Sequence, residues 1–188
     1  MRRPAALALA LLLPAAAGAA EFTQLDPRKS KVSFVFRQMN VPVEGAFKRF
    51  NGRIGFDPAK PAAARAEIEI DLASIDAGSP EANDEVGGKL WFDTKAHPAA
   101  RFVATSIRPL GNNRFDVAGR MTIKGRTRDV VAPFSFKQEA NRGIFDGAFT
   151  LKRADFAIGE GVWADFETVA NEIQIKFHFE AALAAAKK

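Results

Sequence analysis

The sequence predicts an all-β fold, an antiparallel sandwich or barrel, and three observations carry that reading. Apolar residues recur with period two along most of the chain, which turns one face of each strand to a core and the other to water. Turn signals separate these runs at Asp57-Pro58, Gly111-Asn112-Asn113, Lys124-Gly125 and Asn141-Arg142-Gly143. The 188 residues include 17 Phe and 2 Trp but no Tyr and no Cys, so the interior is aromatic without phenols and held without disulfides.

Residues 1–20 read as an export signal, not as fold. Arg2 and Arg3 form a basic start, Ala5 to Leu13 an apolar core, and Pro14 to Ala20 a small-residue run, with cleavage expected after Ala19 or Ala20. The apolar run is shorter than the roughly 20 residues of a membrane span. The organisation expected is a cleaved secretory signal peptide over 1–20 and one domain over 21–188, located in the periplasm. Export argues against nucleic acid as a partner despite the formal charge of +5.

From Glu21 onward the strands follow one another. Val32, Phe34 and Phe36 alternate with Ser33 and Arg37, and Ile68, Ile70 and Leu72 with Glu67, Glu69 and Asp71. The pattern returns at Phe115, Val117, Met121 and Ile123, at Phe134 and Phe136, and at Phe145, Phe149 and Leu151. It closes with Ile173, Ile175, Phe177 and Phe179 set against Gln174, Lys176, His178 and Glu180. Between Val43 and Phe56 the apolar parity changes, which predicts a bulge or sharp bend near Arg49 or Asn51. Bent strands with glycines curl a sheet into a barrel, and Gly119 and Gly147 mark further bends.

One segment breaks the rhythm. Ser79, Pro80 and Glu81 read as the N-cap, first-turn proline and acidic first turn of a short helix reaching about Lys89. Leu90-Trp91-Phe92 is too apolar for solvent, so the insertion is expected to fold over one end of the barrel or its opening. The tail, Ala181 to Lys188, reads as a helical turn or a frayed end.

The residues that could carry chemistry are few. Without Cys there is no thiolate zinc site and no cysteine nucleophile, and His97 and His178 stand alone, without a nearby ligand set for a metal. Arg153 and Asp155, two apart, would share a face of a strand and form a charged pair at the barrel's end. Asp165 with Glu160 or Glu167 reads as turn and capping carboxylates, because acid–base catalysis needs two groups poised around a substrate. Gly159 and Gly161 lack the strand–turn–helix context of a nucleotide site and read as a flexible turn. Lys124, Arg126 and Arg128 flank a hairpin turn and read as a solvated basic face, with contact to an anionic head group as the alternative.

Four stretches, in order, give a family resemblance: "FTQLDPRKSKVSFVFRQMNVPVEGAFKRFNGRIGFDP", "WFDTKAHPAARF", "VAGRMTIKGRTRDVV" and "KRADFAIGEGVWAD". Through them the chain resembles the YceI-like proteins, exported lipocalin-like barrels associated with polyisoprenoid and related amphiphilic lipids, from about Phe22 to Ala181. It departs from that pattern where the family often carries histidines, here Lys29 and Gln38. No head-group or metal role of those histidines carries over.

The resemblance implies an antiparallel lipocalin-like β-barrel of about eight strands with one short helical insertion near residues 79–90. It implies a non-catalytic periplasmic protein that binds, transports or stores a prenyl phosphate, a quinone or another long-chain amphiphile, without a cofactor, and it admits a homodimer and transient contact with a membrane surface. Strand parity then assigns the cavity wall to Phe34, Phe36, Phe47, Phe102, Phe134, Phe136, Phe149, Phe177 and Phe179, with Trp91 and Phe92 at a mouth or cap. Phe suits such a wall because it needs no hydrogen-bond partner. Alternating Phe is also what any filled β-core shows. The alternative is therefore a stress-related interaction protein with a filled barrel and no lipid.

Overall fold

The computed structural model describes residues 21–184. The expected export signal, 1–20, lies outside the described residues. The chain runs through β1 (Phe22–Leu25), β2 (Lys31–Gln38), β3 (Val41–Phe47), β4 (Phe50–Gly55), β5 (Arg65–Asp71) and β6 (Ile75–Asp76). A helix, α1 (Pro80–Gly87), precedes β7 (Ala99–Gly111), β8 (Arg114–Ile123), β9 (Arg126–Glu139), β10 (Arg142–Lys152) and β11 (Glu172–Leu183). All pairings are antiparallel, in the order β4-β5-β7-β8-β9-β10-β11-β2-β3-β6, with β1 on β11.

Eleven strands make about eight staves because three staves are broken. β1 and β2 both pair with β11; β3 pairs with β2 and β6, whereas β4, the next strand in sequence, pairs with β5. The chain therefore steps at residues 48–49 from one end of the sheet to the other, at the predicted change of parity. Polar groups stitch the breaks. The Arg49 N–H donates to Ser74 Oγ at 2.9 Å, Lys48 N–H to Ser74 O at 3.0 Å, and Asp71 N–H to Arg49 O at 3.1 Å. At the β1–β2 break, Glu180 N–H donates to Ser30 Oγ at 3.0 Å and Asp26 N–H to Glu180 O at 2.9 Å. Phe22 and Phe56 exchange two backbone hydrogen bonds, of 2.9 and 3.2 Å, which bring β1 against the end of β4 and draw the curled sheet shut.

Curvature comes from glycines covered by rings. A Cβ on Gly45 would collide with the Phe34 ring, one on Gly119 with Phe102, and one on Gly147 with Phe177. Each glycine lets a large ring from the neighbouring strand lie flat on the sheet, and Gly119 sits opposite a bulge between Ala104 and Ser106. The helix forms as expected: Ser79 Oγ accepts from Ala82 N–H at 3.2 Å, with Pro80 in the first turn. The described part of the tail, residues 181–184, differs from expectation, and residues 185–188 lie outside the described residues. Ala181 to Leu183 continue β11, because Leu25, Gln24 and Phe22 of β1 supply backbone partners for them.

Candidate functional site

Inside the barrel the apolar residues form two buried groups. At one end Phe22 and Phe56, 0% and 1% exposed, sit among rings. Phe56 meets Phe115, Phe134, Phe136 and Phe145 at centroid distances of 5.3, 6.0, 5.0 and 5.2 Å, and Phe22 lies 5.4 Å from Phe136. These tilted and edge-on pairs pack the end with rings.

The other end is closed by loops. The segment 88–92 after α1, the hairpin turn at Lys124, and the stretch 153–170 between β10 and β11 meet there. Arg153 lies at their centre, 1% exposed. Its Nη1 donates to the carbonyls of Ile158 and Gly159 at 2.9 and 2.7 Å, and its Nη2 to those of Trp163 and Val169 at 2.7 and 2.8 Å. Nε reaches Val169 O and Ala170 O at 3.3 and 3.2 Å. Burial pushes the guanidinium down from its ordinary value, and Asp165 opposes that shift; arginine remains charged all the same. The Trp91 and Phe166 rings stack toward it, 5.6 and 5.1 Å from the guanidinium carbon.

This arrangement corrects the expected pair of Arg153 and Asp155. Residues 153–156 form a 3-10 turn, not a strand, so Asp155 points to solvent while Arg153 turns inward. The carbonyls of the irregular loop lack ladder partners, and one guanidinium fork gathers them. Gly159 is required here: its φ is +74°, and a Cβ would strike Arg153 Nη1.

Lys124 is likewise no solvated residue. Its side chain is 9% exposed, and Nζ donates to Lys89 O at 2.8 Å, Ala157 O at 2.7 Å and Glu160 Oε2 at 3.0 Å. Arg126 and Arg128 do face solvent. His97 lies beside Gly125, and His178 hydrogen-bonds Asp146 on the outer face of β11 at 2.6 Å. Asp165 has the turn role expected, accepting from Glu167 N–H at 2.9 Å.

Between the two ends lies a cavity of about 230 Å³ whose lining side chains are apolar apart from Arg65, Arg153 and the indole N–H of Trp91. Phe34, Phe36, Phe47, Phe102 and Phe134 lie on its wall, as do Phe149, Phe177 and Phe179. Trp91 and Phe92 border it from the loop-closed end, together with Val86 of α1. Phe36, Phe47, Phe102, Phe149 and Phe177 remain half-buried although they point inward, because they face the cavity. Phe136 is a correction. It points inward as its parity requires, but it lies within the ring cluster of Phe22, Phe56 and Phe145, away from the cavity. Parity fixes the face of a strand and not the height along the barrel. The sequence reading also missed Phe56 and Phe145, which border the cavity at its Phe-packed end.

A model of the YceI-like domain matches residues 24–181. A UPF0312 protein of Pseudomonas savastanoi pv. phaseolicola is 32% identical over 161 residues, covering 81% of this chain and 84% of the relative. The crystal structure of Burkholderia cenocepacia BcnA superposes with a TM-score of 0.83 at 48% identity, covering 85% of this chain and all (100%) of BcnA. A polyisoprenoid binding domain from Saccharophagus degradans, implicated in plant cell wall breakdown, shares the fold with a TM-score of 0.70 at 16% identity, covering 88% of this chain and 99% of that domain.

Proposed function

The chain belongs to the YceI-like family, and from that premise we propose that it is a non-catalytic carrier or store for a long-chain amphiphilic lipid of the polyisoprenoid type, a prenyl phosphate or a quinone, in the periplasm. The cavity carries this reading: among the described residues its lining side chains are apolar apart from Arg65, Arg153 and the indole N–H of Trp91. Arg153 is engaged with backbone carbonyls and Arg65 with Glu21 at 3.0 Å, so neither is poised as a catalytic acid or base. The Saccharophagus degradans domain, described as polyisoprenoid binding, supports the ligand class.

The magnitudes agree. At about 230 Å³ the space exceeds the ~150 Å³ of a dry apolar cavity that admits benzene. A five-carbon isoprene unit buried there contributes about 3–4 kcal/mol of gross transfer free energy, from which ordering of chain and wall subtracts.

The competing reading, an interaction or stress-protective protein with a filled core, draws on the Phe-packed end, where rings pack against one another. Displacement of a fluorescent apolar probe, N-phenyl-1-naphthylamine, by farnesol separates the two. Farnesol displaces the probe from the native protein, and Phe149→Trp, which places a larger ring on the cavity wall, weakens that displacement about tenfold. A folded Phe149→Trp variant with unchanged displacement contradicts the assignment of the wall.

A further inference from the structure

The ladder between β9 and β10 stops before either strand does. It runs from Glu139 and Arg142 to Phe134 and Gly147, yet β9 continues back to Arg126, paired with β8, and β10 on to Lys152, paired with β11. Pro133 stands at the point of parting: the next rung of the ladder needs an N–H that proline lacks. The two strands still touch here, since a Cβ on Gly147 would come within 2.6 Å of Pro133 O. They are tied again only beyond the hairpin turn, where Lys124 Nζ donates to Ala157 O at 2.7 Å and Glu160 Oε2 at 3.0 Å. Between these two ties the wall has a seam. Hydrogen-bonding direction alternates along a strand, so Thr127, Asp129 and Val131 on one lip and Thr150 on the other turn their backbone N–H toward it. None of the four has a backbone acceptor among the described residues.

The seam opens onto the cavity. Ala132 and Phe134 of β9 and Phe149 and Leu151 of β10, on the inner faces of the two lips, all line it. Exposure follows the parting of the strands and not the parity. Along the inner face of β9, Phe136, Phe134 and Ala132 are buried, Val130 is half-buried and Arg128 is exposed. On β10, Phe145 is buried, whereas Gly147 and Phe149 are half-buried. We infer that the seam between β9 and β10 is the route by which ligand reaches the cavity, a hydrocarbon chain passing side-on between the lips, with the Lys124 contacts limiting how far they part. This rests on the reading of the cavity as a lipid site and adds its route. Passage here breaks no rung of the sheet and displaces none of the rings packed around Phe56, because the strands are already unpaired where the chain would cross.

The chain contains no Cys, so a pair of introduced cysteines reacts alone. In Val131→Cys/Thr150→Cys, with both positions on the outer faces of the lips, a bis-methanethiosulfonate bridge across the seam slows stopped-flow entry of N-phenyl-1-naphthylamine at least about tenfold. Dithiothreitol, which cleaves the bridge, restores the native rate. The same reagent on Ser135→Cys/Asp146→Cys, register partners on the same two strands where the ladder is intact, leaves the rate unchanged. An unchanged rate across the bridged seam, or equal slowing by both bridges, overturns the assignment. Amide exchange reads the seam in the native protein without any substitution. The N–H groups of Asp129, Val131 and Thr150 exchange at least about a hundredfold faster than those of Arg128, Val130, Phe149 and Leu151, which pair with β8 and β11. Equal protection along either strand means a closed seam and overturns the assignment even where a bridge fails to form. Should the native protein take up neither the probe nor farnesol, the lipid site itself fails, whatever the amide pattern.

Discussion

The two ends of this barrel are closed by opposite physics. At one end Phe56 and its neighbours close the space with rings that need no polar partner; at the other, Arg153 and Lys124 hold irregular loops together by their carbonyl oxygens. Packing of rings is non-directional, and its loss spreads into the whole core. A cation that gathers carbonyls acts locally: its loss frees one loop and leaves the sheet paired. The protein thus has one end packed with rings and one end whose closure depends on a few directional bonds.

Four substitutions break or sharpen this contrast. Arg153→Met has the largest effect: six carbonyl oxygens lose their donor together, and the native state is destabilised by about 5 kcal/mol in chemical denaturation. The first amides to lose protection from hydrogen exchange are those of 153–170, with β7 to β10 protected until global unfolding. Phe56→Ala follows at about 4 kcal/mol, with protection falling evenly across the sheet. If the two variants lose protection in the same places, the two ends are not separate structures.

Lys124→Met comes next. It unties Lys89, Ala157 and Glu160 from the hairpin at about 2 kcal/mol, and apolar probes enter faster than in the native protein. Trp163→Phe is the mildest, at about 0.5–1 kcal/mol, because the bond to Glu85 is exposed. Its mark is kinetic: faster probe entry and exit with nearly unchanged Kd by stopped-flow fluorescence. An unaltered entry rate in both variants removes the loops from the path of the ligand.

The same contrast explains what the sequence discloses. Strands with period-two alternation are legible one by one, and the change of parity between Phe47 and Phe50 locates a broken stave, because side-chain direction in a strand is set locally. Depth along the barrel is not local, so Phe136 and Phe134, two residues apart on one face, differ in role. The loop-closed end is the least legible. Nothing in the pattern shows that Arg153 leaves the strand for a 3-10 turn, since its acceptors come from residues up to 17 positions away. The turn at Met39 and Asn40 hides too: both have positive φ, 48° and 65°, and Met carries no turn signal. The apolar context of Trp91 places it at the end of the barrel, but nothing local in the sequence shows that its buried N–H has no partner.

The central claim, that the space between the two ends holds a lipid chain, is tested most directly by extracting the protein purified from its native host and analysing the extract by mass spectrometry. The expected result is a long-chain lipid with an oxygen-bearing head group at close to one molecule per chain, depleted in the Phe149→Trp variant. Native protein that is reproducibly free of lipid while fully folded would contradict it.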